Sequence, residues 1–337
     1  MTIHSLDSAR QSAVQFSETF AKIRSEVNKM IVGQHDIVQG VLSALLVGGH
    51  VLIEGVPGLG KTMLVSTLSK VVNLQFNRIQ FTPDMMPADI VGSTVLSDSP
   101  SGGHALTYQQ GPIVANLVLA DEINRATPKT QSALLEVMQE RQLTVGHRTI
   151  KMPEPFCVMA TQNPVDQEGT YPLPEAQLDR FLFKLVVGYP TEADYHSIID
   201  RTTSNTVIDI QPVSNGAELQ QLRQTVRELP VPLAAKTYAI RLVMASQPGS
   251  EYATPMVNQY VSLGASPRGI QSLMLAAKVI ALLDKRFAVS CEDVHAIALP
   301  VLRHRIVCNF KAQASGISAD SIIQDILKRI ARPNDIR

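Results

Sequence analysis

The sequence predicts an α/β region, with a parallel β-sheet covered by helices on both faces, followed by an all-α region. Three observations lead to this prediction. Short apolar runs alternate with segments of helical spacing as far as residue 187, which is typical of parallel strands joined by helical crossovers. From residue 190 onward most apolar spacing is helical. The 337 residues also exceed what one compact core usually holds.

The α/β region begins with two helices, predicted over about residues 7–30 and from Ile37 to Leu46. Five apolar runs then indicate the strands of one sheet. Thr127 and Pro128 have the residue types of a helix start, a cap followed by proline. The strands are predicted at 50–54, 76–80, 117–120, 156–160 and 182–186, and two helices between them at 62–72 and 127–141.

Two stretches fall outside this alternation and are predicted to be insertions. Gly92–Tyr108 has a loop tip at residues 99–103, and Leu143–Met152 has the pattern of a hairpin. Tyr189-Pro190 marks the boundary with the all-α region. The predicted organisation is an N-terminal helical segment (1–30), a core (31–188) and a helical region (190–337), with helices at 217–229, 233–245, 268–285, 292–308 and 319–330.

Composition narrows the function classes. The formal net charge is zero, so the chain offers no single-sign field for capturing nucleic acid or an anionic membrane. Three scattered cysteines without a CxxC pattern argue against a disulfide framework or a zinc site. No signal peptide is recognisable, and Val41–Val56, the longest apolar stretch, is too short and too polar to span a bilayer. We therefore expect a cytoplasmic protein.

A phosphate-binding loop is the most specific motif. Gly55-Val56-Pro57-Gly58-Leu59-Gly60-Lys61-Thr62 matches GxxxxGK[ST], follows an apolar strand and opens a helix. Glycines allow the backbone N–H groups to point at phosphate oxygens, and the helix adds its positive N-terminal end. Lys61 is expected to reach the β- and γ-phosphates, and the Thr62 hydroxyl to bind Mg²⁺. The motif predicts binding of ATP with magnesium.

Two carboxylates follow a buried strand about 60 residues later. Asp121 and Glu122 end the run Asn116-Leu-Val-Leu-Ala. Ligands of open α/β sheets bind at the carboxyl ends of the strands, so Asp121 is expected near Thr62, where it would help to hold Mg²⁺. Glu122 would polarise the attacking water. The pair favours hydrolysis of ATP over simple nucleotide binding.

Further motifs appear in a fixed order along the chain. They are Gly-Pro-Ile-Val-Ala-Asn-Leu-Val-Leu-Ala-Asp-Glu-Ile-Asn-Arg (111–125), Pro-Lys-Thr-Gln-Ser-Ala-Leu-Leu-Glu (128–136), Ala160-Thr-Gln-Asn163-Pro164, Leu178-Asp-Arg180-Phe181 and Gly264-Ala-Ser-Pro-Arg268-Gly269. With these motifs the chain resembles the AAA+ ATPases and, more closely, the MoxR family, from Ile31 to about Ile326.

The resemblance implies a fold and further site residues. The five core strands, numbered along the chain, are expected in the order 5-1-4-3-2, with the all-α region as a lid. Asn163 matches sensor 1, Arg180 the arginine finger that acts on a neighbouring subunit's ATP, and Arg268 sensor 2, which reports the nucleotide state to the lid. Ile31–Gln34 matches the segment near adenine. The expected nucleotide contacts are thus Val32, Gly33, Gly55, Val56, Pro57, Gly58, Leu59, Gly60, Lys61, Thr62 and Met63.

The family's activity implies how such a chain works. It implies a hexameric ring whose lid rocks against the sheet about Tyr189-Pro190, with Arg180 completing the neighbour's site. The family acts as chaperone-like remodellers that mature or activate client proteins, in some cases by metal or cofactor insertion. Its partners often carry a von Willebrand factor A domain. The two insertions would face the ring pore and contact the client.

Two other readings stay open at this point. One is a nucleic-acid motor or loader, for which His147, Arg148 and Lys151 in the predicted hairpin offer positive charge. Net neutrality, 5% aromatic residues and no tryptophan argue against it. The other is a module that holds nucleotide with negligible hydrolysis, which Glu122 argues against. Arg125 is either a second trans-acting arginine or an ion-pair partner.

Overall fold

The structure, a computed structural model, describes residues 3–56, 58–98, 104–146, 148–164, 169–204 and 208–333. Pro57, His147 and the predicted loop tip at 99–103 lie outside these residues. The α/β region contains α1 (Ile3–Asn28), α2 (His35–Val47), β1 (Val51–Glu54), α3 (Lys61–Val71), β2 (Phe76–Gln80), α4 (Pro87–Val91), β3 (Gly92–Asp98), β4 (His104–Gln110), β5 (Leu117–Asp121), α5 (Pro128–Glu140), β6 (Gln142–Val145), β7 (Arg148–Lys151), β8 (Cys157–Gln162), α6 (Glu175–Leu178) and β9 (Phe183–Val186).

The C-terminal region is mostly helical. It adds one pair of antiparallel strands to the predicted all-α region, and these strands are too short to leave a periodic signal in the sequence. Its elements are α7 (Glu192–Thr203), α8 (Gly216–Glu228), α9 (Leu233–Ala245), α10 (Pro255–Tyr260), β10 (Val261–Leu263), α11 (Pro267–Leu283), α12 (Cys291–Leu302), β11 (Val307–Cys308), α13 (Phe310–Ala314) and α14 (Ala319–Arg329).

The central sheet has five parallel strands in the order β2-β5-β8-β1-β9. Numbered along the chain as core strands, this is 5-1-4-3-2 read from the opposite edge, so the predicted order is confirmed. All five strands end at one edge of the sheet, which we call the carboxyl edge, and begin at the other, the amino edge. Two separate hairpins, β3–β4 and β6–β7, occupy the stretches predicted as insertions.

The sheet separates two hydrophobic cores, because successive side chains of a strand point to opposite faces. Leu52 packs in the smaller core with residues of α5, whereas Val51 and Ile53 pack in the larger one. The larger core continues without a break through α1, α2 and α3 into α8, α9, α11, α12 and α14. The lid helices and the sheet therefore share one core.

This shared core bears on the expected rocking motion. A hinge at Tyr189-Pro190 would have to separate buried side chains such as Phe20 of α1 and Leu273 of α11, which belong to the same core. Burial of one large apolar side chain is worth about 1.5–3 kcal/mol. The structure therefore argues against free rocking of the lid about this point. Among the described helices, none is long and apolar enough to cross a membrane.

Candidate active site

The phosphate-binding loop connects β1 to α3 at the carboxyl edge. Gly58 and Gly60 have φ angles of +84° and +75°, and an added Cβ at either would have no neighbour within 4 Å. Backbone conformation rather than space therefore requires glycine there. Gly60 is the N-cap of α3, so the unpaired N–H groups of the first helical turn face the loop. Lys61 donates from Nζ to the carbonyl oxygen of Gly55 at 2.5 Å.

Lys61 lies in a field of carboxylates. Burial lowers the pKa of its ammonium group below the ordinary value, and the negative charges of Asp121, Glu122 and Glu54 offset part of that effect. These carboxylates therefore act on Lys61 electrostatically, as expected if the acidic pair and the loop converge on one site. The arrangement suits a cation that must meet phosphate oxygens.

Asp121 is the last residue of β5 and is 9% exposed. Its Oδ1 accepts a hydrogen bond from Thr161 Oγ1 at 2.6 Å, and its Oδ2 accepts one from the Arg78 guanidinium at 2.7 Å. A carboxylate here and the Thr62 hydroxyl in the first turn of α3 are hard oxygen donors, the ligand class that Mg²⁺ prefers together with phosphates. The donor set therefore fits a magnesium ion.

Glu122 follows in a left-handed conformation, with φ at 57°. Its backbone N–H donates to Thr161 Oγ1 at 2.8 Å, so one threonine fixes both acidic residues. The Glu122 carboxylate accepts from Gln80 Nε2 at 3.1 Å and pairs with Arg125 Nε at 3.2 Å. The structure thus places Arg125 as an ion-pair partner within its own chain. Strand β2, through Gln80, holds the second carboxylate in place.

Asn163 comes directly after β8 and is 7% exposed. The Gly55 N–H donates to the carbonyl oxygen of Gln162 at 3.3 Å, so Asn163 leaves the sheet beside the start of the phosphate loop. The parallel register pairs Ile53 with Thr161 and Ala120 with Ala160. The three strand ends that carry the loop, the acidic pair and Asn163 therefore lie side by side.

A mostly apolar cleft of about 490 Å³ adjoins the loop. Val32 and Met63 line it together with Gly58 and Gly60. Gln34 Nε2 donates to the Leu59 carbonyl oxygen at 2.7 Å and ties the segment before α2 to the loop. Gly33 is at a φ of +71°, with the Asp194 carboxylate against its α-carbon. The residues expected to contact adenine thus surround a cleft of suitable size and polarity.

Arg180 and Arg268 lie elsewhere, in a cleft of about 260 Å³ that Arg141 and Arg305 also line. Arg180 shortly precedes β9, which runs parallel to β1 with Phe183 beside Val51. It therefore lies at the amino edge, whereas the phosphate loop leaves the carboxyl edge. Four strand residues separate the two by roughly 13 Å. Arg180 NH1 donates to the Leu135 carbonyl oxygen at 2.9 Å.

Arg268 is at the start of α11, and its NH1 is 4.0 Å from Asp179 Oδ2. Among the described residues that line this cleft, none belongs to the phosphate loop. The site residues expected from the sequence therefore form two groups at opposite edges of the sheet. Because α11 begins at the amino edge, Arg268 does not lie beside the phosphate loop of its own chain.

Sequence reasoning missed four residues of these two groups. Apolar spacing predicts Arg78 and Gln80 only as strand residues, although polar side chains at period two before a strand end are a signal for such a site. Thr161 belongs to the motif that contains Asn163, but the motif indicates no role for it. Apolar spacing predicts Arg305 within a helix, which in fact ends at Leu302.

Comparison with known proteins agrees with the fold. Residues 50–183 match the family described as "ATPase family associated with various cellular activities (AAA)", and residues 254–326 match the AAA lid domain. A crystal structure of a candidate ATPase from Cytophaga hutchinsonii has a TM-score of 0.90 and 38% identity, and covers 98% of this chain and 99% of its own.

Named relatives are similar over nearly the whole chain. "Chaperone MoxR1" of Mycobacterium tuberculosis is 45% identical over 91% of this chain and 81% of its own length. The YeaC protein of Bacillus subtilis is 42% identical over 93% of this chain and 94% of its own. "Protein MoxR" of Methylorubrum extorquens is 28% identical over 92% of this chain and 93% of its own length. The chain therefore belongs to the MoxR family of AAA+ proteins and is an ATPase.

Proposed function

We propose that this ATPase works as a ring in which each subunit completes the site of its neighbour. The observation that carries the proposal is the position of Arg180 and Arg268 at the amino edge, one strand length away from the phosphate loop of their own chain. A head-to-tail contact repeated around a closed ring would bring the amino edge of one copy to the carboxyl edge of the next. A hexamer is the ring size that the family resemblance implies.

Each carboxyl edge supplies most of the chemistry. Thr62 and Asp121 would hold Mg²⁺, which supplies charge neutralisation at the β- and γ-phosphates when bound. Lys61 would leave the Gly55 carbonyl for the phosphates, and the loop N–H groups would bind their oxygens. Glu122 and Asn163 would orient the attacking water. Because Gln80 and Arg125 hold the Glu122 carboxylate, that side chain must exchange partners before it can meet water.

The amino edge of the next copy would supply Arg180 and Arg268 as positive charges for the transferred phosphoryl group. An arginine finger supplied in trans is worth about 10³ to 10⁵ in rate where it has been measured. The isolated chain is therefore expected to hydrolyse ATP slowly. Since the lid shares a core with the sheet, we place the motion that hydrolysis drives between subunits rather than at Tyr189-Pro190.

The output that we propose is chaperone-like remodelling, maturation or activation of client proteins. A relative that is 45% identical bears the name of a chaperone. The β3–β4 hairpin presents Leu96 and Leu106, paired across the strands and 64% and 70% exposed, as an apolar contact for a client.

A partner with a von Willebrand factor A domain, and a cytoplasmic location, belong to the same proposal. Residues 31–188 would be the core, 190–337 the lid and 1–30 a helical segment that packs on both.

The experiment is steady-state ATPase activity per subunit across protein concentration, with Mg²⁺, for the wild type, Arg180→Ala and Arg329→Ala. Arg329 is an exposed arginine of α14 paired with Asp325 and serves as the matched control. We expect activity that rises with concentration, stays the same in Arg329→Ala and falls by about 10³-fold in Arg180→Ala. A low rate that is independent of concentration and of Arg180 would rule out the shared site.

A further inference from the structure

Arg305 is a buried arginine directly behind the segment that carries Arg180. It is 5% exposed and follows the end of α12, in the turn between Leu302 and Val307. A charged side chain at this depth loses its hydration, which is costly unless it is paired and fully hydrogen-bonded. The contacts of Arg305 show where that compensation comes from.

The guanidinium of Arg305 binds the backbone on both sides of Arg180. Its NH2 donates to the carbonyl oxygens of Asp179 at 3.1 Å and Phe181 at 2.7 Å, and its NH1 donates to that of Leu182 at 3.3 Å. Three carbonyl groups in four consecutive residues thus point at one buried cation. The backbone of the Arg180 segment is therefore held by a residue of the lid.

A carboxylate completes the attachment. Asp179 Oδ1 accepts from Arg305 Nε at 2.8 Å, and Asp179 Oδ2 accepts from Ser266 Oγ at 2.7 Å. Ser266 is the N-cap of α11 and lies two residues before Arg268. Asp179 therefore links the residue next to Arg180 with the helix start that carries Arg268, and both of its oxygens are engaged.

The neighbours of Arg305 on the chain differ in what they bind. His304 Nε2 donates to the Phe181 carbonyl oxygen at 3.0 Å, and burial lowers the pKa of this imidazole well below its ordinary value, so that it stays neutral. Arg303 instead pairs with Asp320 at 2.8 Å and donates to the carbonyl oxygen of Lys184 at 3.4 Å, beyond the Arg180 segment. Arg303 is thus a natural control for Arg305.

We propose that Arg305 is a positioning residue for the arginine finger: it fixes the backbone on both sides of Arg180 and, through Asp179, holds Arg180 and Arg268 as one unit that acts on the neighbouring subunit. This inference rests on the proposed trans action of Arg180. It assigns the lid a role in setting the geometry of a site that is not its own.

The test uses full-length Arg305→Lys, which keeps the charge but cannot reach three carbonyl groups and Asp179 at once. We expect kcat to fall by about 10²-fold, because a misplacement of about 1 Å can cost that much. The affinity for a fluorescent ATP analogue should stay at the wild-type value, since the phosphate loop is untouched. Arg303→Lys, the matched control, should keep the wild-type rate.

Mixing of subunits separates a positioning role from a general structural one. Glu122→Gln subunits lack the residue that orients water but keep an intact Arg180, Asp179 and Arg305. Added in equal amount to Arg305→Lys subunits, they would supply an ordered finger to about half of the active sites, since each site has one neighbour on that side. Activity per Arg305→Lys subunit should then rise toward about half of the wild-type value.

The same mixture made with Arg180→Ala tests the underlying proposal by itself. Rescue of Arg180→Ala but not of Arg305→Lys would overturn the inference and leave the trans finger standing. Failure of both would overturn the trans finger. Should Arg305→Lys not fold, Asp179→Asn removes the same link with a smaller change and is expected to show the same loss and the same rescue. Wild-type kcat in Asp179→Asn would also overturn the inference.

Discussion

The two edges of the sheet carry the two groups of residues to which we assign catalytic roles, and they are built differently. At the carboxyl edge, the buried Thr161 anchors Asp121 and Glu122, but the other bonds to their carboxylates come from side chains that reach the surface, such as Arg78, which is 47% exposed. At the amino edge, Arg305 and His50 are each 5% exposed and bind backbone groups. The bonds from side chains at the surface of the carboxyl edge can exchange with water and ligand. The buried bonds at the amino edge are shielded from such exchange.

The difference corresponds to what the proposed function requires of each edge. Groups that bind a nucleotide and orient water have to change partners during a catalytic cycle, so bonds between half-exposed side chains suit them. Groups that present a charge to another subunit must arrive already ordered, because ordering them during binding would reduce the gain. Three predictions test this contrast between an exchangeable edge and a fixed one.

The largest effect is expected at Glu122. Glu122→Gln should lower kcat by about 10²- to 10⁴-fold, the usual contribution of a group that assists proton transfer. Nucleotide affinity and the thermal midpoint should stay near the wild-type values, because the replaced bonds are exchangeable ones. ATPase assays measure kcat, binding of a fluorescent ATP analogue measures the affinity, and differential scanning fluorimetry measures the thermal midpoint. The control is Glu251→Gln, at an exposed position. A large fall in the thermal midpoint would break the contrast.

The next effect is expected at the amino edge, on stability. His50 accepts from the Val158 N–H through Nδ1, and its Nε2 donates to the Met138 carbonyl oxygen. Burial lowers the pKa of His50 from 6.5 to about 4; the bond to Met138 opposes this shift, and the charges of Arg141 and Arg223 add to it. Between these two values the unfolded chain binds a proton that the folded chain does not.

The free energy of unfolding should therefore decrease by about 3 kcal/mol in total as the pH falls from 6.5 toward 4. Above pH 6.5 the contribution of His50 to stability is fully present. Urea unfolding across this range measures it. His50→Gln should lose this part of the pH dependence. The control variant His196→Gln, at an exposed position of α7, should keep it. Equal slopes for the wild type and His50→Gln would show that His50 does not contribute.

The smallest effect is expected at Arg78. Its guanidinium binds Asp121 Oδ2, so it competes with a metal ion for that oxygen. Arg78→Gln should lower the Mg²⁺ concentration needed for half-maximal nucleotide binding by about two- to fivefold, since exposed ion pairs are worth about 0–1 kcal/mol. Arg78→Lys, which keeps the charge, should change it less. A higher Mg²⁺ requirement in Arg78→Gln would mean that Arg78 supports the metal site instead.

The two edges also differ in how far the sequence predicted them. The carboxyl edge depends on local patterns, a glycine loop after a strand and two acids after another, so Gly55–Thr62 and the acidic pair were recognisable. Thr161 and Arg78 were not, because their partners come from other strands and only the sheet order brings them together. Arg180 and Arg268 were recognised by family resemblance, but their distance from the loop followed only from the parallel register.

One of the predicted helices is wrong over residues 303–308. Apolar spacing extended a helix from 292 to 308, yet α12 ends at Leu302. The residues that follow bind the backbone before β9 and enter β11, and these long-range bonds replace the local helical ones. Periodicity registers only local partners, so it could not reveal Arg305.

The core shared by sheet and lid also has a consequence for folding. A chain whose two regions each had a separate core could unfold in two steps, one after the other. Here Phe20, Val51 and Leu273 lie in one continuous core, so neither region keeps its packing once the other is lost. Heat or denaturant should therefore melt the chain in one cooperative transition, and any ligand of the phosphate loop would slow amide exchange in lid helices that it never touches.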